Sequence, residues 1–100
     1  MEIQITKQEE KIEVKVIGRI DTVTAAQFEQ ETAELLSVPA AQISLNCEEL
    51  SYVSSSGLRS LLKLLKSVTA IGGSLTLCGL KAEIKEVFDI TGFSSLFTIL

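Results

Sequence analysis

Segments of alternating polar and apolar residues are separated along this chain by segments in which apolar residues recur at helical spacing. The alternation, typical of strands with one buried face, covers Ile12 to Val16, Ile43 to Cys47 and Leu75 to Leu77. Strands that alternate with helices favour parallel pairing through right-handed crossovers. The pattern therefore predicts an α/β domain whose sheet is backed by helices.

The two ends of the chain extend this sheet. Ile3 and Ile5 alternate with polar residues ahead of a polar turn at Gln8 to Glu10, which predicts an N-terminal hairpin with the next strand. Leu96 to Leu100 is a short apolar segment suited to an edge strand. A hairpin together with parallel crossovers predicts a mixed sheet of about four to five strands.

Three segments have helical periodicity. The first begins after Thr24, because Thr24 and Gln27 have the spacing of a capping box, and Thr32 completes its apolar face. The second follows Ser54-Ser55-Ser56-Gly57 and ends at Gly72-Gly73, and the third ends at Gly92. The remaining apolar positions are Ala25, Phe28, Leu35 and Leu36 in the first, Leu58, Leu61, Leu62, Leu65 and Val68 in the second, and Ile84, Val87, Phe88 and Thr91 in the third.

Composition restricts the class of protein. The chain has 100 residues, 46% of them hydrophobic and 22% charged, which fits one globular domain over residues 1–100 that folds without disulfides or a structural metal. A net charge of -4 argues against nucleic acid as a partner. The first ten residues lack the apolar stretch of a signal peptide, and no apolar run could cross a bilayer. We therefore expect a cytoplasmic protein that is not inserted in a membrane.

Most catalytic arrangements are excluded by residue type. The chain contains no histidine, so Ser-His-Asp and Cys-His sites and the usual zinc sets cannot form. Gly72-Gly73-Ser74 is too short for a phosphate-binding loop. We expect no enzymatic activity, no cofactor and no metal. Cys47 and Cys78 each end a strand pattern, where a thiol usually acts as a small apolar group, and a redox pair is the alternative.

The serine-rich turn before the second helix is the candidate functional site. A hydroxyl at a helix start lies beside free backbone N–H groups and the positive end of the helix dipole, so an added phosphate finds donors there. Gly57 leaves room for an approaching partner and permits backbone angles that other residues avoid. The alternative is that these serines only cap the helix.

Three cations follow the turn at helical spacing: Arg59, Lys63 and Lys66. They form a basic stripe that either attracts an acidic partner surface or is simply the solvated side of an amphipathic helix. Leu64 lies at the margin of the apolar face, as a partly exposed contact or as ordinary core.

Several short motifs together resemble a known family. They are Gly18-Arg19-Ile20-Asp21 with Thr24-Ala25, Ser55-Ser56-Gly57-Leu58, and Thr91-Gly92-Phe93 with Leu96-Phe97. In order and spacing the chain resembles the STAS family, which includes bacterial anti-sigma factor antagonists and the cytoplasmic tails of sulfate transporters. The likeness covers nearly the whole chain.

The resemblance implies a partner-switching function. In stand-alone members the serine before the glycine, here Ser56, is phosphorylated by an anti-sigma factor that is also a serine kinase. The unmodified antagonist captures that partner, phosphorylation releases it, and a phosphatase resets the cycle. Asp21 matches an acid common in the family, whereas Ser54 replaces an aspartate that many antagonists carry. The phosphosite loop and partner surface are expected to comprise Asp21, Ser54, Ser55, Gly57, Arg59 and Lys63, the last two through the basic stripe.

Two other functions remain open from the sequence. Some STAS domains are subunits of lipid or anion transport complexes and bind a transporter component without a phosphorylated serine. Proteins of this fold have also been credited with nucleotide binding, for which the end of the sheet near Asp21 and Ser56 is the candidate place.

Overall fold

A computed structural model describes residues 1–100 and confirms the α/β fold class. The order of elements is a hairpin followed by alternating strands and helices. The strands are β1 (Glu2–Gln8), β2 (Lys11–Ile20), β3 (Gln42–Asn46), β4 (Leu50–Val53), β5 (Ser74–Cys78) and β6 (Thr98–Ile99). The helices are α1 (Ala25–Ala33), α2 (Ser55–Ala70) and α3 (Ala82–Thr91), and short 3-10 turns occupy Glu34–Ser37 and Phe93–Ser95.

The sheet is mixed, as the sequence predicts. Its order is β1-β2-β3-β5-β6, with β1 antiparallel to β2 and the other pairs parallel. β4 is an additional strand that pairs with the end of β2 beyond a shift in register between Gly18 and Arg19. Because β2 and β4 are parallel, their carboxyl ends lie at the same edge of the sheet.

The core lies between the helices and one face of the sheet. Alternate residues of β2, β3 and β5 are fully or almost fully buried there, and Phe28, Leu61 and Phe88 cover them from the three helices. The opposite face carries a polar row at matched positions of five strands, consisting of Thr6, Glu13, Ser44, Thr76 and Thr98. Leu64 is 5% exposed, so it belongs to the core and is not a surface contact.

The predicted glycines end α2 and α3, but two other helix ends differ from the prediction. Helix α2 begins at Ser55, within the serine run, and α1 ends at Ala33, so that Leu35 and Leu36 lie in a 3-10 turn. Gly72 and Gly92 have positive φ angles of 79° and 81°, the left-handed conformation that glycine adopts without strain. The capping box at Thr24 is wrong, because the Gln27 amide donates to the Glu31 carboxylate and the Thr24 hydroxyl donates to the Arg19 carbonyl oxygen at 2.7 Å. Helix α1 nevertheless begins directly after Thr24.

The two cysteines are free thiols at the ends of neighbouring strands. Cys47 is buried, and burial raises the pKa of its thiol to about 12, so the reactive thiolate does not form near neutral pH. This supports the interpretation of Cys47 as a small apolar side chain. None of the helices is long and apolar enough to cross a bilayer.

Candidate functional site

The serine-rich turn lies at the edge of the sheet where β2 and β4 end. Ile20 closes β2 and pairs with Val53, the last residue of β4, and the Ser54 N–H donates to the Ile20 carbonyl oxygen at 2.9 Å. The start of α2 is therefore fixed directly beside the loop that leaves β2. This arrangement brings together residues that are more than thirty positions apart in the sequence.

Within the turn the three serines have different roles. Ser54 is the N-cap: its Oγ accepts from the Gly57 N–H at 3.1 Å, and its carbonyl oxygen accepts from the Leu58 N–H. Ser55 is exposed, and Ser56 is half-buried in the first turn of α2. Capping therefore explains Ser54, and the hydroxyls of Ser55 and Ser56 take no part in the cap.

The start of α2 presents unsatisfied donors next to Ser56. The backbone N–H groups of Ser55 and Ser56 have no hydrogen-bond partner within the protein, since the cap engages only Gly57 and Leu58. Free N–H groups and the helix dipole both favour an anion at this point.

Gly57 is buried and faces the interior of the protein. A Cβ at this position would lie 2.6 Å from the Ile20 carbonyl oxygen and 2.9 Å from its Cγ2 atom. The glycine therefore permits close approach of α2 to β2, and its φ angle is not among the positive ones. The expectation that it leaves room for a partner is therefore wrong, and the freedom of backbone angle that a glycine permits is not used here.

Asp21 organises the loop after β2. Its Oδ1 accepts from the Val23 and Thr24 N–H groups at 3.0 and 3.1 Å, and its Oδ2 lies 3.5 Å from the Arg19 Nε. The backbone N–H of Thr24, then that of Val23 and the side chains of Thr24 and Arg19, lower the pKa of Asp21 below its ordinary value. The carboxylate thus holds its own loop in shape, and it is the next residue that contacts the serine turn.

That residue is Thr22, which the sequence analysis does not single out. Its Oγ1 lies 3.4 Å from the Ser56 Oγ. The signal in the sequence is positional: Thr22 follows the end of one parallel strand just as Ser56 follows the end of its neighbour. Recognising the contact requires knowing that β4 is a strand paired with β2.

The basic stripe on α2 is partly neutralised. Glu29 of α1 lies 2.8 Å from the Lys63 Nζ and accepts from the buried Ser60 hydroxyl at 2.7 Å. These two partners, Lys63 first, lower the pKa of Glu29. Arg59 and Lys66 are exposed and have no carboxylate within ion-pair distance. Within the basic stripe, Arg59 and Lys66 are therefore the cations whose charge is not neutralised by an ion pair and can attract an acidic partner.

The surface around Ser56 is open. Val23, at the tip of the neighbouring loop, is 85% exposed, and Arg19 lies over the exposed Tyr52 ring at 4.4 Å. None of the four surface cavities includes Asp21 or Ser56 in its lining, and the largest lies on the polar face of the sheet. An open surface of this kind suits a macromolecular partner better than a small molecule.

Fold and site together define a small α/β domain that presents a helix start with free hydroxyls at the carboxyl edge of its parallel strands. The sequence model of the STAS domain family matches residues 2–100, and the chain belongs to that family.

Curated relatives match most of the chain. One, from Bordetella bronchiseptica and described as a candidate anti-sigma factor antagonist, BtrV, is 37% identical over 82% of this chain and 71% of its own length. The anti-sigma-B factor antagonist of Staphylococcus aureus is 29% identical over 99% of this chain and 92% of its own length.

Solved structures share the fold. An anti-sigma factor antagonist from Mycobacterium paratuberculosis has a TM-score of 0.85 at 18% identity, covering 98% of this chain and 83% of that one. The Bacillus cell fate determinant SpoIIAA in its phosphorylated form has a TM-score of 0.75 at 20% identity, covering 99% and 91%.

Proposed function

We propose that this STAS domain is an anti-sigma factor antagonist that works in the cytoplasm by partner switching. Unmodified, it binds an anti-sigma factor that is also a serine kinase. Phosphorylation of Ser56 by that partner ends the complex, and a serine phosphatase restores the unmodified form. The domain acts as ligand and phosphoacceptor, and is not itself an enzyme.

One observation carries the proposal: the Ser56 hydroxyl is free of the cap, in a helix turn whose first N–H groups have no partner within the protein. The Ser55 hydroxyl is equally free of the cap, and the family resemblance, which concerns the serine directly before the glycine, selects Ser56. The two curated relatives named above, whose descriptions concern anti-sigma factor antagonists, support the class of partner. The solved phosphorylated form of SpoIIAA supports the chemistry, since a protein of the same fold carries a phosphate.

The free and bound states place opposite demands on a phosphate at Ser56. On the free protein the dianion is favoured by the helix dipole, by about 0.3–1 kcal/mol for an exposed group. In a complex it would have to be desolvated against a surface that fits a hydroxyl. Each 1.4 kcal/mol of that penalty weakens binding about tenfold, so two such units suffice for release.

The test is identification of the partner and of the modified residue. The protein is used to capture binding partners from the lysate of its own organism, and the captured kinase is then supplied with ATP. We expect one phosphate, located on Ser56 by peptide mapping, and no phosphate on the Ser56→Ala variant. Phosphate confined to Ser54, Ser55 or Thr24 would contradict the site. Capture of transport-complex subunits in place of a kinase would favour the alternative function as a fixed subunit of a lipid or anion transporter.

A further inference from the structure

The contact between Thr22 and Ser56 joins two hydroxyls from different elements. Thr22 Oγ1 lies 3.4 Å from Ser56 Oγ, and the Thr22 side chain has no other hydrogen-bond partner. Ser54 Oγ is occupied by the Gly57 N–H, and Ser55 has no partner for its side chain. Of the three serines, Ser56 is thus the one whose hydroxyl contacts a side chain outside the turn, that of Thr22.

Both sides of this contact are held in place. On one side, Asp21 accepts from the two backbone N–H groups that follow Thr22, which fixes the loop. On the other side, buried Gly57 lets the start of α2 pack against the Ile20 carbonyl oxygen. These backbone contacts fix the positions from which both side chains extend, and the exposed Thr22 side chain has no competing hydrogen-bond partner.

We propose that Thr22 is a positioning residue for phosphorylation of Ser56: its hydroxyl donates to the Ser56 oxygen before transfer and to the phosphate afterwards. This inference rests on the proposed phosphorylation of Ser56 and adds the residue that orients it.

The transfer itself is ordinary nucleophilic displacement on a nucleoside triphosphate held by the kinase. A bond forms between Ser56 Oγ and the γ-phosphorus, the bond from that phosphorus to the β,γ-bridging oxygen breaks, and the diphosphate leaves. The Ser56 proton passes to a base of the kinase. When Thr22 is the donor in the pair, one lone pair of Ser56 Oγ is engaged and the Ser56 proton remains available to that base.

After transfer, a hydroxyl that donates to the phosphate favours its dianionic form and lowers its second pKa. This gives a readout that a purely structural role of Thr22 would not change. Arg59 and the Arg19–Asp21 pair also bear charge near this region, but they are the same in every variant compared and cancel from the difference.

The experiment uses the full chain with phosphoserine installed at position 56 during translation, so that no kinase is needed. The second pKa of the phosphate is followed by 31P NMR over pH in four forms: the parent chain, Thr22→Val, Thr22→Ser and Val23→Ala. We expect Thr22→Val to raise this pKa by roughly 0.5 unit and Thr22→Ser to restore it. Val23→Ala is the matched control in the same loop and should leave it unchanged. All four forms should melt at similar temperatures, because Thr22 and Val23 are exposed.

The outcomes separate this inference from the proposed function. A pKa that is the same in Thr22→Val and the parent chain, or is not restored in Thr22→Ser, overturns the contact of Thr22 with the phosphate. A rate of phosphate transfer by the captured kinase that is the same in Thr22→Val and the parent chain overturns the positioning of Ser56 before transfer. Failure of the captured kinase to modify Ser56 overturns the proposed function. Transfer of phosphate to Thr22 in place of Ser56 overturns the assignment of the two hydroxyls.

Discussion

At the scale of single residues, Gly57 shows how a small side chain positions a functional one. Its missing Cβ allows the first turn of α2 to approach the last residue of β2, and that approach brings Ser56 to Thr22. The serine before the glycine is then presented at the surface while the glycine is buried. Ser56 and Gly57 are therefore adjacent because the close packing of Gly57 against Ile20 is what places Ser56 beside Thr22.

We predict that Gly57→Ala lowers the free energy of unfolding by about 1–3 kcal/mol, the usual cost of overpacking a close contact. The added methyl would lie 2.6 Å from a backbone oxygen that cannot rotate away. Urea denaturation measures the change, and Ser55→Ala, at an exposed position two residues earlier, is the control with little effect. A Gly57→Ala variant as stable as the parent would show that α2 can move away from β2 at no cost.

At the scale of elements, the packing of α1 against α2 includes a polar contact that the apolar pattern does not reveal. Ser60 is 3% exposed and lies on the buried side of α2, where its hydroxyl needs an acceptor. Glu29 supplies one oxygen to Ser60 and the other to Lys63. The pair therefore connects the two helices beside the apolar core.

This contact predicts a dependence of stability on pH. Because the pKa of Glu29 is lower in the folded chain than in the unfolded one, its contribution is complete above about pH 4.3 and is lost as pH falls through the folded value. We expect Glu29→Gln to be less stable than the parent at pH 7 and to lose less stability between pH 6 and pH 3. Denaturant midpoints at several pH values measure this, with exposed Glu34→Gln as the control. Parallel pH curves for the parent and Glu29→Gln would contradict the assignment.

The same ion pair changes what is expected of the basic stripe. Lys63 is 2.8 Å from a carboxylate, so its field largely cancels at a distance, whereas Arg59 has no such partner. We predict that Arg59→Ala slows association with the captured kinase more than the double variant Glu29→Gln/Lys63→Ala does, because removing both members of the ion pair leaves the net charge unchanged. The difference should be largest at low salt and vanish near 1 M, where the Debye length is about 3 Å. Stopped-flow association rates test this, and equal slowing by the two variants would count against it.

The elements also show how far periodicity alone can predict this structure. Alternation identifies β1, β2, β3 and β5, and helical spacing identifies all three helices, because each buries one regular face. Strand β4 escapes this reasoning: only its first and last residues are buried, and it pairs with β2 beyond a break in register. The contacts of Thr22 with Ser56 and of Glu29 with Ser60 depend on that pairing and on helix packing, so one-dimensional patterns cannot specify them.

At the scale of the whole molecule, the serine turn lies at the surface of the domain, outside the apolar core. Ser56 is joined to the sheet through the first turn of α2, while the core of apolar residues lies beneath and does not include its side chain. A charge added at Ser56 should therefore alter the surface offered to a partner without disturbing the packing that keeps the chain folded.

Substitutions at Ser56 should therefore change binding and leave folding unaffected. Ser56→Asp should bind the captured kinase at least tenfold more weakly than the parent, because its carboxylate must be desolvated in the complex as a phosphate would be. Ser56→Ala should bind well and resist release by kinase and ATP, since it has no oxygen to accept the phosphoryl group. Both variants should melt within a few degrees of the parent, as surface substitutions usually change stability by about 0.5 kcal/mol or less. Titration calorimetry and thermal melting, run on the same samples, separate the two effects. If Ser56→Asp binds as tightly as the parent, or loses binding only together with its fold, then phosphorylation does not act through the interface and another mechanism must release the partner.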